Sequence, residues 1–128
     1  IVSCKTIDKM KIETHTVHDT EIAEVISEDT IINSIEDGLD LLGSLYYQGF
    51  DRIIIHEKSI TPAFFELKNG MAGEILEKFS NYRVRLAMVG NFSRYTRKSM
   101  QDFMYESNKG KQVNFVSALE EGLIRLSR

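Results

Sequence analysis

The run Ile53-Ile54-Ile55, inside "RIIIH", constrains this chain more than any other feature. Successive strand residues point to opposite faces, so three adjacent apolar residues need cover on both sides. That describes an inner strand of a parallel sheet sheltered by helices. The flanking sequence has a different period. Ile35, Leu39, Leu42 and Leu45 or Tyr46 recur at helical spacing, while Glu36, Asp37 and Asp40 face outward. Asn33 or Ser34 can cap that helix and Gly49 can close it.

The alternation then repeats. "RVRLAMVG" reads as a second buried strand ending at Gly90, and "QVNFVS" as a third. Ser93 or Thr96 opens a helix carrying Met100, Phe103 and Met104, which Gly110 stops. Ser117 is placed to cap a last helix with Leu119, Leu123 and Leu126 as its apolar row. Upstream, "KIETHTV" alternates, with Ile12, Thr14 and Thr16 on one side and Glu13, His15 and Val17 on the other. The "HDT" turn joins it to "EIAEVIS"; so short a connection permits only an antiparallel pair.

The predicted order is β-β-α-β-α-β-α-β-α: an α/β fold with about five strands, mostly parallel, and one antiparallel N-terminal edge strand. Helices cover the sheet faces through right-handed crossovers. A length of 128 residues suits one domain with one core. Structure is expected from Met10 onward, giving a single domain over 10–128. Residues 1–9, "IVSCKTIDK", read as an extension or tag-like segment with Met10 as the natural start.

No apolar run approaches the roughly 20 residues that cross a bilayer. No leader pattern is visible, and the single cysteine, Cys4, excludes an internal disulfide framework. A cytoplasmic location is the expectation. Charge is polarised: 12 acids and 5 bases in residues 1–60, against 7 acids and 11 bases in 61–128. A pI of about 5.6 argues against a dedicated nucleic-acid binder, although Arg94, Arg97, Lys98 and Lys111 cluster in the basic half.

In open α/β sheets, ligands meet the loops after the strand carboxyl ends. Those loops offer His56, Glu57, Lys58, Ser59 and Thr61, then Gly90, Asn91 and Ser93, then Ser117. Most of these hydroxyl and amide residues are equally explained as helix caps. The segment "HEKSITPAFFELKNGMAGEIL" is the most unusual of the loops. Thr61-Pro62 is a helix start, and Phe64, Leu67, Met71, Ile75 and Phe79 lie on one face. Yet Gly70 and Gly73 inside a helix would each cost about 1 kcal/mol relative to alanine. Two readings remove the difficulty. The helix begins near Asn69, or it begins at Pro62 and the glycines permit close packing. A phosphate loop ranks third, because no full phosphate-binding glycine motif accompanies them.

Two stretches, "FFELKNGMAGEILEKFSNYRVRLAMVG" and "FMYESNKGKQVNFV", resemble an uncharacterised bacterial domain-of-unknown-function family, DUF four-one-eight-zero. The resemblance runs from Met10 onward and implies a shared fold, with no activity attached. The order of elements is also similar to that of STAS domains of anti-sigma-factor antagonists. There, an Asp-Ser-Ser-Gly-Leu-like stretch opens a helix and carries a phosphorylated serine. Its counterpart here is Leu67-Lys68-Asn69-Gly70-Met71, which keeps the glycine and the apolar residue but lacks the aspartate and both serines. The resemblance implies a regulatory or protein-interaction module without that phosphoswitch.

Catalytic and metal signals are weak. His15 and His18 lack a third ligand at a telling interval. His56 and Glu57 are neighbours on a strand, so they point to opposite faces. No cofactor motif and no metal site are expected. The reading is a non-catalytic interaction module with a protein partner, using Ser59, Thr61, Phe65, Lys68, Asn69, Gly70, Asn91 and Ser93. Phe65, off the apolar row, is expected to be exposed there, and a homodimer through this surface is the simplest partnership. The alternatives are a small-ligand or nucleotide-binding protein, a binder or an enzyme, with a pocket lined by His56 and Asn91, and a nucleic-acid binder.

Overall fold

A computed structural model describes residues 10–128; the expectations for residues 1–9 and Cys4 lie outside it. The sheet has five strands in sequential order: β1 (Met10–Val17), β2 (Thr20–Ser27), β3 (Arg52–His56), β4 (Arg85–Val89) and β5 (Val113–Val116). β1 pairs antiparallel with β2, and every later pair is parallel. His18 and Asp19 take positive φ in the two-residue turn between β1 and β2, at 51° and 65°. Such turns match the twist of the strands they join.

Four α-helices follow: α1 (Ile35–Tyr47), α2 (Met71–Asn81), α3 (Lys98–Lys109) and α4 (Leu119–Leu126). When parallel strands are laid down in order with right-handed crossovers, the crossover helices fall on one face. α1, α2 and α3 accordingly share the larger core, where Leu42, Leu45, Ile75, Phe79 and Met100 meet Val25, Ile53, Ile55, Leu86 and Met88. α4 follows the last strand and packs on the opposite face, where Leu126 meets Ile22, Ile54, Ala87, Val89 and Val116. The Ile53-Ile54-Ile55 run is therefore covered on both sides, as its composition requires.

Several helix starts differ from expectation. Ser34 does cap α1, accepting from the Asp37 N–H. At residues 57–70 the chain makes three short 3₁₀ turns and α2 begins at Met71, so of the two readings the start near Asn69 holds and the start at Pro62 does not. Thr61 caps the turn at Pro62–Phe65, not a long helix. α3 starts at Lys98 behind Arg97, so neither Ser93 nor Thr96 caps it. Ala118, not Ser117, occupies the cap position of α4, and the Ser117 N–H donates to Glu121 instead. No helix among the described residues is long and apolar enough to cross a membrane.

Candidate functional site

The β3–α2 and β4–α3 loops meet beyond the carboxyl ends of their strands, and Glu57 joins them. As the first residue after β3, Glu57 is carried toward the end of β4. Its Oε1 accepts from the Asn91 N–H at 3.0 Å, and its Oε2 accepts from the Tyr95 hydroxyl. Arg94 Nε lies 3.6 Å from the same Oε2. The approach needs Gly90 to be bare: a Cβ there would stand 2.4 Å from the Glu57 Cβ. Burial raises the Tyr95 hydroxyl well above its ordinary value, and the Glu57 carboxylate adds to the effect. Tyr95 also stacks on Phe65, with ring centroids 4.4 Å apart.

That stacking corrects the expectation for Phe65. Its ring is 5% exposed, because Phe64, Phe92 and Tyr95 surround it. Phe64 is fully buried too, whereas Met71 is only partly covered. Ser59 is likewise absent from the surface. It is fully buried; its hydroxyl donates to the Ser27 carbonyl, and its own carbonyl accepts from the Ile31 and Ile32 N–H groups. It stitches the loop after β2 to the loop after β3.

Asn69 is exposed, but its amide is occupied. Nδ2 donates to the Ala63 carbonyl at 2.7 Å, and Oδ1 accepts the Met71 N–H at 2.9 Å. Gly70 sits at φ +80°, the left-handed conformation glycine tolerates best. Together they turn the chain from the 3₁₀ segment into α2. A Cβ at Gly73 would meet nothing within 4 Å, so close packing does not explain that glycine. Lys68 is exposed beside them.

Asn91 caps the 3₁₀ turn Phe92–Arg94, accepting from both the N–H and the hydroxyl of Ser93. With Gly90, Phe92, Phe115, Ser117 and Glu121, these two residues line an open depression of about 490 Å³. His56 is not among its lining residues, so this depression is not the His56–Asn91 pocket of the ligand-binding alternative.

His56 belongs to a second cluster, one that sequence reasoning missed. Its Nε2 lies 2.6 Å from Glu24 Oε2, while His15 Nε2 lies 2.7 Å from Glu24 Oε1. Glu24 sits on β2 between the two histidine-bearing strands, and it is 5% exposed. Burial pushes its carboxyl up, but the hydrogen bonds and positive charge of His56 and His15 together hold it below the ordinary value. An ionised carboxylate only accepts, so both Nε2 atoms carry hydrogen. The visible signal was a glutamate in the middle of the apolar run "EIAEVI". Its partners became identifiable only with the strand register. His56 and Glu57 do serve opposite faces, as alternation demands. Among the described residues, no group of three or more His, Cys, Asp or Glu side chains is arranged to hold a metal ion.

A family described as "Domain of unknown function (DUF4180)" matches residues 17–126. Among solved structures, the crystal structure of "a putative anti-sigma factor antagonist" from Thermotoga maritima is similar over 91% of this chain and 95% of that one. The sequence identity is 14% and the TM-score 0.47. No curated protein matches.

Proposed function

We propose a role for a chain that belongs to the DUF4180 family: it is a non-catalytic protein-interaction module that binds through the rim beyond β3 and β4. One observation carries this reading. A single carboxylate, Glu57, locks two successive strand-end loops together, so Lys68, Asn69, Asn91, Ser93 and Arg94 are presented on a braced frame. A surface held in one shape before binding loses less conformational freedom when a partner docks. The shallow, open outline of the depression at Asn91 and Ser93 suits a protein surface better than an engulfed small molecule. Both oxygens of Glu57 are occupied in bracing, which suits a structural role for that carboxylate.

Within this reading the roles divide. Ser59, Thr61, Phe65 and Gly70 shape the loops. Lys68, Asn91, Ser93 and the neighbouring Arg94 are left to meet the partner, which is expected to carry acidic groups opposite Lys68 and Arg94.

The test uses the full chain as immobilised bait in a native extract, with quantitative mass spectrometry. Lys68→Glu and Arg94→Gln, which brings no second carboxylate up to Glu57, are compared with wild type and with Tyr82→Ala, an exposed position beyond the end of α2. A protein enriched by wild type and Tyr82→Ala but lost from both charge variants is the expected result. Enrichment that ignores the charge variants would refute the rim as the working surface.

A further inference from the structure

The two edges of the sheet are finished differently. At β5, the side-chain amide of Asn108 takes the place of a neighbouring strand. Its Nδ2 donates to the Phe115 carbonyl at 3.1 Å, and its Oδ1 accepts the Phe115 N–H at 2.7 Å. At the other edge, β1 pairs with β2 along all eight residues, Met10 to Val17. Among the described residues, nothing bonds to the backbone of β1 along its outer side. A long, regular, open strand is a template for another strand.

The side chains of β1 indicate which strand fits. Lys11 and Glu13 share one face and approach to 3.6 Å, and both are largely exposed. Ile12 lies between them on the other face, partly buried against the larger core. A cation and an anion two residues apart form a self-complementary code. When two such strands run antiparallel with Ile12 opposite Ile12, each Lys11 faces Glu13 of the other copy. The isoleucine pair also extends the apolar core across the seam.

We propose that β1 pairs antiparallel with β1 of a second copy of this chain over residues 10–14, in the register centred on Ile12, giving a continuous sheet with a two-fold axis. A two-fold contact is isologous, so one open edge satisfies both subunits and the assembly closes as a dimer. β1 is an edge strand three places along the sheet from β4, whose following loop carries Asn91 and Ser93, so the dimer does not depend on the rim's role.

The experiment is analytical ultracentrifugation of the full chain with a charge-swap series, each variant checked for folding by circular dichroism. Lys11→Glu and Glu13→Lys each place like charges opposite one another twice in the dimer. Each is expected to raise the dimer dissociation constant about tenfold. The double variant Lys11→Glu/Glu13→Lys restores opposite charges and should return to within about threefold of wild type. In a Cys4→Ser background, Ile12→Cys should give a disulfide-linked dimer on mild oxidation, since directly opposed positions lie within reach of such a bond. A chain that stays monomeric at about millimolar concentration would overturn the proposal. So would a dimer indifferent to both single swaps, a double variant no better than the singles, or no cross-linking through position 12.

Discussion

Replacing Glu24 with glutamine tests whether the two histidines and this carboxylate form one energetic unit. The carboxylate accepts a hydrogen bond at each oxygen, at 2.7 Å from His15 and 2.6 Å from His56. The amide keeps one acceptor and turns the other into a donor, facing a ring nitrogen that also carries hydrogen. Both bonds lose their charge assistance, and one histidine must switch tautomer so that its Nε2 accepts from the new amide, each change worth about 1–2 kcal/mol. The expected cost near pH 7 is about 2–4 kcal/mol, a large share of the roughly 5–15 kcal/mol available to a domain. Urea denaturation at a series of pH values is the assay. The folded Glu24 group sits below its ordinary value, so its stabilisation is complete above the unfolded-state value, about 4.3. It then declines as pH falls through the lower folded value. The gap between wild type and Glu24→Gln should therefore be full at pH 6–7 and close under acid. Equal stability near neutrality, or a gap unchanged on acidification, would refute the reasoning.

The Glu57 brace makes two further predictions. Tyr95→Phe removes a donor from a buried carboxylate and should cost about 1–3 kcal/mol in urea denaturation. The same variant should remove, in an ultraviolet pH titration, the late ionisation of Tyr95, which burial and Glu57 hold neutral. Gly90→Ala forces a Cβ to within 2.4 Å of the Glu57 Cβ. It should cost about 1–3 kcal/mol from overpacking, and a crystal structure of the variant should show the Asn91–Glu57 bond lengthened or broken. Asn69→Asp is a poorer probe of partner binding than Lys68→Glu. It keeps the oxygen that accepts from Met71 but loses the donation to Ala63, so it perturbs the loop itself.

Periodicity alone determined the architecture. The Ile53-Ile54-Ile55 run, the helical rows around it and the short "HDT" turn set the element types, their order and the antiparallel first pair. Burial acts on every residue of a segment at once, so a repeating pattern survives any single exception. Helix starts were less legible, because Ser93, Thr96 and Ser117 have the chemistry of caps without the backbone geometry. Tertiary structure alone decided where isolated polar residues went. Phe65 reads as exposed in a helical count, yet 3₁₀ turns rotate it onto Tyr95. Ser59 and Asn69 look like surface donors but hold loops together. Glu24, His15 and His56 lie on three different strands and meet only because β2 lies between β1 and β3 in the sheet. A lone polar side chain carries no period, so its role depends on which distant segment the fold brings beside it.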